Sequence, residues 1–245
     1  METKNTVNRM PFFSIVICTY NTGEYLVSAI ESVLSQTMEN WELIIVDDWS
    51  TDETKDILQL YAHTPNIQII QEEYNKGKAA CLNRALEKAR GQWFLELDAD
   101  DWLDWDCLTH VTLFIEKISN KTGFIYGNYL EWRERSRDKK VFYAGVRRGP
   151  ADFHMYKYLE NAIPLAPRIY RVSSLRSVGG WRVHDIYDGR LFEDVYIACV
   201  LATQFSVEHI DQVLYHRRLR RNSISASVGN KFAAWRKWLE QELDM

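Results

Sequence analysis

Short apolar runs alternate with helical periodicity through the first hundred residues. Residues 12–18 (FFSIVIC) are a continuous apolar stretch rich in β-branched side chains, which predicts a buried strand. After the turn TYNTGEYL, Leu26, Ile30, Val33 and Leu34 recur at helical spacing, with Thr22 placed to cap the helix. Residues 41–46 (WELIIV) predict a second strand ending in Asp47-Asp48. Ser50 then stands three residues before Glu53, a capping-box spacing, ahead of a helix whose apolar face carries Ile57, Leu58 and Tyr61. Residues 67–70 predict a third strand, and Asn75-Lys76-Gly77 a turn. Ala79, Leu82, Ala85, Leu86 and Ala89 mark a helix that Gly91 is expected to stop, and residues 93–97 predict a fourth strand. Strand-helix alternation of this kind implies an α/β layer fold, a mostly parallel sheet with helices on both faces.

Beyond Trp102 the pattern loosens. Residues 104–118 read as a helix, and 124–132 and 141–144 as strands joined by a charged stretch. A loop-rich region with Pro150, Pro164 and Pro167 leads to Gly179-Gly180-Trp181. A helix over 192–203, a strand over 213–217 and an amphipathic helix over 231–243 follow. No repeat, low-complexity segment or interdomain linker interrupts the chain.

The 245 residues, 46% of them hydrophobic, suffice for one sizeable domain. A net charge of -4 speaks against a nucleic-acid partner. Cys18, Cys81, Cys107 and Cys199 are scattered without a C-x-x-C pair, which indicates neither a zinc site nor a disulfide framework and fits a reducing cytoplasm. The opening METKNTVNRMPF lacks the apolar core of a signal peptide, and no run of about 18 apolar residues exists to span a membrane. Peripheral membrane contact stays open, through Trp235, Arg236, Lys237 and Trp238 on the last helix or through the basic run after His216.

In open parallel sheets, ligands bind outside the carboxyl ends of the strands. Three polar clusters fall on such ends: Thr19-Tyr20-Asn21, Asp47-Asp48 and Asp98-Ala99-Asp100-Asp101. Carboxylates spaced D-x-D at a strand end suit hard divalent cations, Mg²⁺ or Mn²⁺, held together with substrate phosphates; the bland alternative is a helix cap and solvated acids. Glu193-Asp194 opens an apolar helix, where either carboxylate can act as a base or merely favour the helix dipole, and position alone does not choose between them. Arg217, Arg218, Arg220 and Arg221 suit phosphate oxygens, a solvated strand end or anionic lipid.

Taken in order, FSIVICTYN, SVLSQTMENWELIIVDDWSTD and NKGKAACLNRALEKARGQWFLELDADD resemble the family-2 inverting glycosyltransferases of GT-A fold, closely over about 110 residues and then through GGW, Glu193-Asp194 and His216. The resemblance implies a Rossmann-like GT-A domain over 1–228, with a nucleotide-binding half to 110, an acceptor half over 111–228, and a helix over 229–245. It implies transfer from a nucleotide-sugar donor, a UDP-sugar, to a carbohydrate, lipid-linked or protein acceptor. Thr19, Tyr20, Asn21, Lys78, Asn83 and Ala99 match nucleotide-contacting positions, and Asp48 the acceptor of a uracil hydrogen bond. Asp98 matches the ribose side of the D-x-D and Asp100 the metal contact, to Mn²⁺ or Mg²⁺. Asp194 matches the catalytic base. His216 matches a metal ligand of some relatives, and Arg218 and Arg221 a segment that closes over the diphosphate. Trp49 stands where the family usually has Gly, and RVHDIYDGRLF between Gly180 and Glu193 has no family counterpart.

Other classes fit less well. A nucleotidylyltransferase needs a basic, Gly-rich loop after the first strand, and TYNTGEY has one Gly and no basic residue. A dinucleotide-binding oxidoreductase needs G-x-G-x-x-G, which follows no strand here. A catalytically silent binding domain of the same fold is opposed by the intact D-x-D and the Glu193-Asp194 pair.

Overall fold

The computed structural model describes residues 10–161, 163–221 and 231–244. The predicted parallel half is present as β1 (Phe13–Thr19), α1 (Gly23–Leu34), β2 (Trp41–Asp47), α2 (Thr54–Tyr61), β3 (Ile67–Gln71), α3 (Lys78–Lys88) and β4 (Trp93–Glu96). Next come β5 (Trp102–Leu103), α4 (Cys107–Ile115), β6 (Thr122–Glu134), β7 (Val141–Arg147), α5 (Met155–Asn161), β8 (Arg168–Arg171), α6 (Val172–Ser177), α7 (Glu193–Ala202), β9 (Ser206–Leu219) and α8 (Lys231–Glu242).

One sheet of nine strands runs β3-β2-β1-β4-β8-β6-β9-β5, with β7 also paired to β6. Strands β3, β2, β1, β4, β6 and β9 share a direction, and β5, β7 and β8 oppose it. The mostly parallel α/β sheet with helices on both faces is therefore the fold present. Because strand side chains alternate between faces, β1 sends Ile15 and Ile17 into the layer under α1, α2 and α4, and Val16 into the layer under α3, α5, α6, α7 and α8.

Several local expectations are corrected. Thr22 stands at the start of α1, but its hydroxyl pairs with Thr19 (2.6 Å). The Ser50–Glu53 box does not form, because α2 begins at Thr54 and the Ser50 hydroxyl accepts the Asn21 N–H. Asp52 serves both helix starts instead, accepting from Gly23 N–H (3.2 Å) and Thr54 N–H (3.1 Å). Gly91 does not stop α3, which ends at Lys88; it is required because a Cβ there would sit 2.5 Å from the Ser14 nitrogen. The helix expected over 104–118 begins only at Cys107, since Trp102 and Leu103 pair with His216 and Tyr215 of β9. Elements α5, β8 and α6 carried no clear periodic signal. The division placed at residue 110 falls inside α4, and that placed at 228 lies outside the described residues.

The last helix turns its aromatic face inward. Trp235 and Leu239 are fully buried in the core layer of α3 and α7, and the Trp235 indole donates to Asp185 (2.8 Å). No helix among the described residues is long and apolar enough to cross a membrane. Replacing Trp235 by Ala is expected to cost about 3–5 kcal/mol of stability, read as a lower midpoint in urea unfolding at unchanged slope; a loss below about 1 kcal/mol would mean α8 contributes little to the core.

Candidate active site

The site forms where the loops after β1, β2 and β4 meet the starts of α3 and α7. The first two loops lock each other. Asp48 N–H donates to Thr19 O (2.9 Å), and the Asn21 side chain accepts Thr51 N–H (2.8 Å). Asn21 and Trp49 both adopt left-handed backbone, at φ 52° and 69°, a conformation that costs a bulky residue free energy unless its surroundings hold it. Asp48 is buried and accepts Lys76 N–H (2.7 Å) and Gly77 N–H (2.9 Å), so it fixes the turn that enters α3. Around this edge Tyr20, Trp49 and Tyr74, each just beyond the end of β1, β2 or β3, leave their rings exposed.

Lys78, the first residue of α3, reaches the end of β4. Its Nζ lies 2.5 Å from Asp98, 2.8 Å from Glu96 and 3.3 Å from Glu193. From the other side comes Arg168, the first residue of β8, which stands opposite Glu96 in the sheet. Its guanidinium is 2.8 Å from Glu96, 2.9 Å from Asp98 and 3.8 Å from Asp194. Burial alone would raise the Asp98 pKa, but the Arg168 and Lys78 charges outweigh it and hold that carboxyl far below the usual range. Glu96 is likewise lowered by the same two cations against its burial. Lys78 and Arg168 are in turn held charged by these carboxylates, although burial opposes it. For Glu193 burial prevails over the nearby Lys78, and its pKa rises to about 7. Asp194 stays partly exposed at the start of α7, with one oxygen on Val195 N–H (2.9 Å).

The three acids of the D-x-D-D stretch are thus parted rather than clustered. Asp98 faces Lys78 and Arg168, and Asp100 pairs with Arg220 (2.6 Å). Asp101 turns inward to the Tyr215 hydroxyl (2.8 Å) and Arg218 N–H (2.7 Å). Burial, with Asp100 and Asp98 nearby, pushes the Asp101 pKa well up. Ala99 is buried between them.

Three residues expected at the ligand have other work. Asn83 spends its amide on the backbone of Trp181, donating to the carbonyl (2.7 Å) and accepting the N–H (2.8 Å). A Cβ on Gly180 (φ +74°) would come 2.3 Å from the Asn83 oxygen, which explains the glycine. His216 stacks on Trp102 at 5.2 Å, accepts the Trp132 indole N–H at Nδ1 (3.0 Å) and meets Asp104 at Nε2 (3.2 Å), so both ring nitrogens are taken. Arg218 lies over the rings of Tyr25 and Trp102, with its guanidinium on Asp100 O (3.0 Å) and Glu134 (3.4 Å). Arg221 is exposed at the edge of the described segment, and the residues beyond it that would complete a closing segment lie outside the described residues.

Glu96, Arg168 and the bridging part of Lys78 were not among the expected site features. A signal was available: Glu96 interrupts the apolar strand WFLEL, and a carboxylate placed in a core needs a cation beside it.

The fold is that of the GT-A glycosyltransferases, and the chain belongs to glycosyl transferase family 2, whose model matches residues 14–179. It is 38% identical over 120 residues to the UDP-Glc:alpha-D-GlcNAc-diphosphoundecaprenol beta-1,3-glucosyltransferase WfaP of Escherichia coli, covering 49% of this chain and 47% of that protein. The chain spans less than half the length of the curated relatives it matches. Among solved structures, it resembles S. aureus TarS 1-349 in complex with UDP-GlcNAc at TM-score 0.72 and 20% identity, over 94% of this chain and 66% of that one. It also resembles the mannosyltransferase PcManGT of Pyrobaculum calidifontis in complex with GDP-Man and Mn²⁺, at TM-score 0.67 and 18% identity, over 96% and 64%. These two likenesses establish the shared fold.

The raised Glu193 has a measurable consequence. From its ordinary 4.5 to about 7 the folded chain keeps a proton that the unfolded chain releases, so this group's contribution to stability declines as pH rises through that window. Glu193→Gln is expected to flatten the dependence of melting temperature on pH between about 4.5 and 7; parallel profiles for the two proteins would show that Glu193 titrates normally.

Proposed function

We propose that the chain is an inverting glycosyltransferase that moves a sugar from a UDP-sugar to a hydroxyl of a carbohydrate, lipid-linked or protein acceptor, in the synthesis of a surface polysaccharide or glycoconjugate. The ionic chain Asp194–Arg168–Asp98–Lys78–Glu193 carries this reading, because it joins the donor-side loop to the start of α7. The UDP-glucose in the name of WfaP and the UDP-GlcNAc of the TarS complex support a uridine donor. Asp48, buried at the ends of β1 and β2, and the exposed Tyr20 and Trp49 form the edge suited to the base.

Asp194 is the base. As the acceptor oxygen attacks the anomeric carbon it loses its proton to this carboxylate, and the anomeric C–O bond to the diphosphate breaks. A single displacement inverts the configuration, and a positioned base typically contributes about 10²–10⁴-fold. Arg168 holds Asp194 against the network without burying it, while burial raises the neighbouring Glu193 pKa to about 7.

A divalent cation fits at Asp100, a hard carboxylate whose present partner is the replaceable Arg220. Among the described residues no group of three or more His, Cys, Asp or Glu is gathered for a metal, and His216 has no ring nitrogen to give, so an ion at Asp100 relies on donor phosphates and water. Held there by Asp100, Mn²⁺ or Mg²⁺ would supply Lewis-acid stabilisation of the leaving diphosphate, a reading supported by the Mn²⁺ of the PcManGT complex. Arg220 and Arg221 offer further charge to the phosphates.

Asp194→Asn is expected to lower transfer from UDP-sugars by about 10²–10⁴-fold with UDP affinity nearly intact; retained turnover would reassign the base. Asp100→Ala should remove the gain in UDP affinity on adding Mn²⁺, measured by calorimetry, and an unchanged gain would place the ion elsewhere. Trp49→Gly, tolerated at φ 69°, should change affinity for UDP relative to GDP; equal ratios in both proteins would mean the ring points away from the base.

A further inference from the structure

The β6–β7 hairpin is rich in basic residues and in exposed apolar side chains. Between Trp132 and Arg148 the sequence holds seven basic and two acidic residues, in a chain whose net charge is -4. Four of the seven cations are ion-paired within the fold. The other three, Arg133, Arg137 and Lys140, are exposed, and their side chains have no ion-pair or hydrogen-bond partner among the described residues.

Apolar groups lie beside these cations. Strand β7 pairs with β6 alone, and Phe142, Tyr143 and Val146 on it are 49%, 59% and 43% exposed. Arg133 and Phe142 are cross-strand partners, so they share a face of the hairpin. Exposed edge strands ordinarily carry charge that discourages pairing, but unpaired cations beside half-exposed aromatic and aliphatic side chains, with Arg135 over the Phe142 ring, match a surface that is anionic outside and apolar just beneath. On the other face Trp132 stands opposite Tyr143 and Leu130 opposite Val146, so the apolar side chains flank the β7 edge from both faces. Trp132 also donates to His216, and Glu134 meets Arg218 and the Tyr25 hydroxyl (3.2 Å), which brings this hairpin beside the site.

We propose that the free edge of this hairpin docks the protein on an anionic phospholipid surface, its cations on the headgroup phosphates and Phe142, Tyr143 and Val146, which flank β7 from its two faces, at the acyl boundary. Charge complementarity selects anionic headgroups, and a soluble polyanion would use the cations but leave the three apolar side chains in water. The last helix does not compete for this part, because its Trp235 is in the core. Docked by the hairpin, the mouth of the site sits beside the membrane surface.

The test is co-sedimentation of the full chain with vesicles of phosphatidylglycerol or of phosphatidylcholine, in about 0.1 M salt. Partitioning onto the anionic vesicles is expected to exceed that onto the neutral ones by at least about tenfold. Arg133→Glu with Arg137→Glu and Lys140→Glu should lower it by about tenfold or more, and Phe142→Ser with Tyr143→Ser severalfold. UDP affinity should stay unchanged in the charge variant, which separates this surface from the donor site. If the triple variant does not fold by circular dichroism, Arg137→Glu alone, in the loop between the strands, should still weaken binding. Equal partitioning onto both vesicle types, or charge variants that sediment like the wild type, would overturn the proposal. So would release from vesicles by dextran sulfate together with no effect of the aromatic substitutions, which would make a soluble polyanion the partner.

Discussion

Lys78 and Arg168 close on Asp98 and Glu96 from opposite sides, and the site depends on this compensation of charge. Glu96 sits within the sheet, and Asp98 is only partly open to solvent. A carboxylate in such a place is tolerated only beside a cation, and removing one partner of a buried pair costs about 3–5 kcal/mol. Each cation here serves more than one acid, so the end of β4, the start of α3, the start of α7 and the first residue of β8 hold one another.

The sheet topology makes that compensation possible. Strand β8 inserts antiparallel between β4 and β6, which sets Arg168 opposite Glu96. The chain then returns through α6 to Gly180 and Trp181, whose backbone Asn83 clamps to α3. Asp185 ties the following loop to α8 through Trp235, and Arg190 returns from that loop to Asn75, beside the turn that Asp48 holds. The stretch RVHDIYDGRLF, which has no counterpart in the family pattern, is therefore a strap between the last helix and the donor-side turn.

The first half of the fold was legible in the sequence because β1, β2 and β4 are almost wholly buried and its helices have one apolar face, so both patterns are strong. The strand RIYR of β8 was not, since it is four residues long and begins and ends in arginine. The same feature hid Arg168, whose role comes from a partner 72 positions away. Asp48, Lys78, Asp98 and Asp194 were singled out because the family motifs place them on strand and helix ends, and the structure brings Lys78, Asp98 and Asp194 into one ionic chain. Asn83, His216 and Arg218 lie in the same motifs, but spacing cannot show that an amide is spent on a neighbouring backbone or that an imidazole is enclosed by two indoles.

On the proposed function, the Arg168 guanidinium couples the donor-side loop to Asp194, the proposed base. UDP affinity and transfer rate measured together in Arg168→Met, on protein shown to be folded by circular dichroism, test it most directly. The account predicts that both fall, because Asp98 and Asp194 lose their common cation; a folded variant that binds UDP and transfers sugar as the wild type does would contradict it.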